Sequence, residues 1–138
     1  MKEKSCKERI REHYRSRISD IRECWELYRK DSEAYTEGGN NWGEYGLSFD
    51  YVAPGTFEGQ RRGYFRFQIS WGGPSDEFRF STDENFGLTS VQYWFMDWFD
   101  GASVTVNGKD RELWGEIWED WRDCEIPQSQ YRKAMDEN

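Results

Sequence analysis

The residues best placed to do chemistry are carboxylates set among rings. Asp97 lies inside the aromatic run Tyr93–Phe99, with Asp100 close behind. A carboxyl among rings is desolvated, so its pKa rises and it can act as an acid. Beside tryptophans, two such acids also suit glycoside hydrolysis. No spacing in the chain selects a second acid, and Asp97 would serve equally as a turn cap or as a partner of Arg66 or Arg79. His13 is the only histidine, which excludes sites needing several imidazoles and argues against a Ser/His/Asp triad. Cys6, His13, Cys24 and Cys124 number four possible zinc ligands, but no two form the close pair of a zinc knuckle. Gly72-Gly73-Pro74-Ser75 lacks the Lys-Ser/Thr and the following helix of a phosphate loop. The expectation is no catalytic residue, no metal and no cofactor.

Charge carries more information. The 138 residues hold 19 Lys+Arg and 27 Asp+Glu, a formal net charge of -8. Such a chain repels phosphate, so direct nucleic-acid binding is not expected. There is no apolar run long enough to cross a membrane, and the charged start has no apolar signal region. Three cysteines, an odd number, suit a reducing cytoplasm. The acid is not evenly spread. Residues 2–33 hold ten bases and eight acids, leaving nine bases and nineteen acids for residues 34–138; within 76–125 there are thirteen acids and four bases. Segregation of this kind makes a directional field.

The elements that must position these groups follow from periodicity. Ile10, Tyr14, Ile18, Ile21, Trp25 and Tyr28 form one helical stripe, predicting a helix over about 2–33. Residues 44–106 alternate. Tyr45, Leu47, Phe49 and Tyr51 share one face of a strand, Phe65, Phe67, Ile69 and Trp71 that of a second, and Phe78 and Phe80 that of a third. Residues 90–99 carry rings on both parities and fit either a strand buried on both faces or a helix; the β-branched and aromatic content favours the strand. Val104 to Val106 reads as a short extension. Leu113, Trp114, Ile117, Trp118 and Trp121 make the apolar arc of an acidic helix over about 109–123, in which Gly115 admits a ring or backbone. Pro127 closes that segment, and 128–138 is a polar tail holding one helical turn or fraying. The aromatic content, 18% of the chain, lets so polar a sequence fold. The fold class expected is a single α+β domain. An antiparallel sheet of about four strands is flanked by the long N-terminal helix and the acidic C-terminal helix.

The segments Phe49–Phe57, Ser70–Phe80 and Tyr93–Ala102 resemble a family of small acidic accessory proteins of bacterial plasmids, phages and integrated elements. That setting implies inhibitors of host defence, including anti-CRISPR and anti-restriction proteins. With the charge pattern, it suggests a non-enzymatic inhibitor bearing a DNA-mimicking surface. Its partner would be a basic nucleic-acid-binding complex, a CRISPR effector in the first place, otherwise a restriction enzyme. The surface expected comprises Asp76, Glu77, Asp83, Glu84, Asp110, Glu112, Glu116, Glu119, Asp120 and Asp123. The alternatives are an interaction module anchored by an exposed ring such as Trp42 or Trp114, and a hydrolase using Asp97.

Overall fold

A computed structural model describes residues 4–137. The elements run α1 (Cys6–Lys30), β1 (Ser48–Val52), β2 (Tyr64–Ser70), β3 (Ser75–Thr82), β4 (Leu88–Asp97), β5 (Asp100–Thr105), α2 (Gly108–Asp123) and α3 (Ile126–Asp136). The strands form one antiparallel meander in chain order. The helices cover one face of it, and the α+β class is as expected.

Each element follows from its residues. Ser5 caps α1, its hydroxyl accepting from the Glu8 N–H while the Glu8 carboxylate accepts from the Ser5 N–H. The helix therefore starts at Cys6; the part of the expected span before residue 4 lies outside the described residues. The stripe is buried through Ile10, Ile18, Ile21 and Trp25. In β2, β3 and β4 the inward rings are Phe65, Phe67, Phe78, Phe80, Tyr93 and Phe95, all buried. They receive Trp114 and Trp118 from α2. Trp114 sits 4.9 Å from both Phe78 and Phe80, and Trp118 5.2 Å from Phe80. Trp118 also donates its Nε1–H to the carbonyl of Phe86 at 2.8 Å, which satisfies its one polar atom.

Several expectations are corrected. Among the described residues the sheet has five strands, because the segment read as an extension is β5, folded back on β4 through the two-residue loop Trp98-Phe99. Trp71 is not on the inner face: it lies past the end of β2 and is 76% exposed. Leu47 is exposed because β1 begins one residue later. Gly46, at φ +83°, lies against the Phe67 ring, which a Cβ would approach to 2.5 Å. Beside Gly115, the nearest atom to an added Cβ is the flexible Arg111 side chain at 3.3 Å, so neither ring nor backbone needs the space. The tail is helical. Pro127 lies in the first turn of α3, where a missing N–H costs nothing. Glu125, at φ 59°, makes the break between α2 and α3. Tyr131 then packs on Tyr51 at 4.9 Å.

α1 is tied to the body by charge as well as rings. Arg9 meets Asp97 at 2.6 Å, Arg17 meets Asp76 at 2.7 Å, Arg22 meets Asp110 at 2.8 Å, and Arg29 meets Glu116. Asp76 is 2% exposed. It accepts from Arg17 Nε, from the Tyr93 hydroxyl and from the Ser70 hydroxyl, the last two at 2.5 Å. Burial, with the bond to Asp76, pushes the Tyr93 hydroxyl well above its ordinary range, so it remains a donor. Asp76→Ala leaves Arg17 and Tyr93 facing an empty site. We expect it to cost about 3–5 kcal/mol in urea unfolding; a loss under about 1 kcal/mol would mean that water replaces the carboxylate.

Candidate interaction surfaces

The ten acids expected to face a partner separate into three groups. Asp76 and Glu77 do not reach the surface, at 2% and 4% exposure. Asp76 serves α1, and Glu77 accepts from Arg79 Nε at 2.8 Å on the helix-free face of the sheet. An unpaired carboxylate in either place would carry a desolvation cost of several kcal/mol, so each sits beside an arginine. Asp110 is half-buried and committed to Arg22 and to the Tyr14 hydroxyl, 2.6 Å away. Burial first, then that bond, raises the Tyr14 pKa.

Asp83 is exposed but occupied. Its Oδ1 accepts from the N–H of Gly87 at 2.9 Å and of Asn85 at 2.8 Å, closing the β3–β4 loop, and these bonds hold its carboxyl below the usual range. Glu84 beside it is exposed.

The third group lies on α2. Leu113, Trp114, Ile117, Trp118 and Trp121 are buried, and the 3.6-residue turn therefore directs Glu112, Glu116, Glu119, Asp120 and Asp123 to solvent. Arg29 pairs with Glu116, and Arg122 stands 3.5 Å from Glu119. Glu112 to Asp123 spans about 16.5 Å at 1.5 Å per residue.

The other candidates fall into structural roles. Asp97 pairs with Arg9; Arg66 is taken by Asp50 and Arg79 by Glu77. Asp100 accepts from the Cys6 N–H at 2.8 Å, a bond that keeps its carboxyl below the usual range. Both acids thus hold the start of α1. Among the described residues no group of three or more His, Cys, Asp or Glu is close enough to share a metal. His13 is half-buried and stacks on Phe95 with centroids 4.3 Å apart.

Trp42 and Trp114 are both buried, so neither is an exposed anchor. Among the described residues the most exposed rings are others: Trp71 in the β2–β3 hairpin, and Trp98 and Phe99 at the tip of β4–β5, at 88% and 104%. Antiparallel connectivity puts both hairpins at one end of the sheet. The pattern Asp97-Trp98-Phe99-Asp100, two equivalent acids around a two-residue loop, was the available signal for that tip. On the helix-free face Arg79 lies between the rings of Tyr64 at 4.7 Å and Trp94 at 4.0 Å. It forms the floor of a groove of about 570 Å³ lined by Phe57, Trp71, Glu77 and Met96.

No helix among the described residues is long and apolar enough to cross a membrane. No family model, curated protein or solved structure matches the chain.

The thiols give a direct check on this placement. Cys6 and Cys24 are buried and Cys124 is exposed. Burial pushes the Cys24 thiol up to about 11 and raises Cys6 as well. In the native protein at neutral pH, Ellman's reagent is expected to titrate one thiol rapidly, and all three only after denaturation. Rapid reaction of two or three native thiols would contradict the packing of α1.

Proposed function

We propose that the protein is a non-enzymatic inhibitor that occupies a basic, nucleic-acid-binding surface of a bacterial defence complex, with the outer side of α2 as its contact. The observation that carries the reading is the row Glu112, Glu116, Glu119, Asp120 and Asp123, directed to solvent by the packed tryptophans beneath. Five carboxylates over about 16.5 Å compare with about five phosphates, since one DNA strand carries a charge per roughly 3.4 Å of axis. Glu84, in the loop tied to α2 by the Arg122 bond to the Asn85 carbonyl, extends the row. The kind of complex, a CRISPR effector or a restriction enzyme, comes from the resemblance of the Phe49–Phe57, Ser70–Phe80 and Tyr93–Ala102 segments. Asp76, Glu77 and Asp110 are no part of the contact.

The test is competition with duplex DNA for a purified effector complex. Replacing Glu112, Glu116, Glu119, Asp120 and Asp123 by Gln or Asn touches no buried residue, so circular dichroism and Tm are expected to hold. Inhibition of DNA loading is expected to fall at least tenfold. Raising salt from about 50 to 200 mM should weaken the wild-type protein steeply. Inhibition that survives the five changes in a folded protein would overturn the reading.

A further inference from the structure

We infer that a second copy of this chain docks on the free edge of β5, joining two sheets into one of ten strands about a two-fold axis. Among the described residues β5 is bonded to β4 alone, and it is an edge. Its register decides what that edge offers. The Val106 N–H donates to the Val91 carbonyl, and the pairing continues through Tyr93↔Val104, Phe95↔Ala102 and Asp97↔Asp100. In an antiparallel ladder hydrogen-bonded pairs alternate. The N–H and C=O groups of Gly101, Ser103 and Thr105 therefore point away from β4, and all three residues are exposed.

Edge strands in soluble proteins are ordinarily blunted by lysine, proline or a bulge. β5 has none of these: its pairing with β4 shows no register shift, and no charged side chain lies between Asp100 and Lys109. In a chain that is 33% charged, a bare edge beside an uncovered tip is the feature that fits an identical edge. Gly101, Ser103 and Thr105, the residues that would face the second copy, are all neutral. No like charges are therefore brought opposite one another along the ladder.

The tip adds contact. Trp98 has φ 58°, at the first position of a two-residue hairpin loop, where glycine is the usual occupant. Backbone strain of this kind persists where it positions a side chain for use. With Ser103 on the axis, Gly101 pairs with the partner's Thr105, and the tip of each copy reaches the Val106–Lys109 segment of the other. Four rings, at about 150–250 Å² each, supply about 600–1,000 Å² of a standard interface of roughly 1,600 Å². The paired strands add the remainder.

The experiment is sedimentation equilibrium of the full chain at about 100 µM, roughly a hundredfold above a micromolar dissociation constant. The wild type is expected at about 33 kDa, twice the 16.6 kDa chain. Ser103→Lys and Ser103→Glu each set like charges opposite one another across the axis, and each is expected to run as a monomer with unchanged circular dichroism. An equimolar mixture of the two is expected to regain the dimer. A monomeric wild type overturns the proposal, as do variants that stay dimeric or a mixture that stays monomeric. The five α2 changes leave this edge untouched and should leave the dimer intact, so failure here and failure of the α2 reading are separate results.

Discussion

The structure depends on how α1 is held against the sheet. Apolar burial supplies the attraction, through Ile10, Ile18, Ile21 and Trp25, but burial is non-directional. Arginine–carboxylate pairs fix where along the sheet the helix lies. Arg9 and Arg17 meet β4 and β3, and Arg22 and Arg29 meet α2. They differ in weight. Arg29 and Glu116 are both largely exposed and contribute little. Asp76 is buried, and its bonds to Arg17, Tyr93 and Ser70 tie α1, β2, β3 and β4 to one carboxylate. A slide of α1 by one turn would leave that charge unpaired in the interior, a cost of several kcal/mol. The segregation of bases onto the first helix is therefore in part an internal complementarity, through Arg9, Arg17 and Arg22.

The periodic parts of this fold are legible in the sequence. The α1 stripe, the alternation of β2 and β3 and the tryptophan arc of α2 each bury one face, and burial of one face is what periodicity records. β5 is not legible in this way. Its inward residues Ala102 and Val104 are small and half-buried, so alternation is weak. α3 is hidden by Pro127, which reads as a stop but also opens helices. Trp71, Trp98 and Phe99 resemble core residues by type alone. Only the turns, two residues long in the case of Trp98-Phe99, turn them outward.

The acids divide less visibly. In the sequence Asp76 and Glu112 are alike. What separates them is an arginine 59 residues away for Asp76 and a solvent-directed helix face for Glu112. Pairings at that separation leave no local pattern. A weaker sign was present: Arg17 and Arg22 border the apolar stripe on α1, at Ile18 and Ile21, so their side chains start at the edge of the buried face. Arginines so placed, facing a body with nineteen acids, must meet some of them.

Ion pairing does not change the total. Each pair removes one base and one acid, so the net charge of -8 must be carried by acids that remain after every pairing. Internal use of Asp76, Glu77, Asp97 and Asp110 takes up Arg17, Arg79, Arg9 and Arg22. Glu112, Asp120, Asp123 and Glu84 are exposed and are among the acids that carry the excess. The buried pairs thus do two things at once. They set the register of α1, and they leave the excess acid outside, where on the outer side of α2 only Glu116 and Glu119 of the five-acid row pair with an arginine among the described residues.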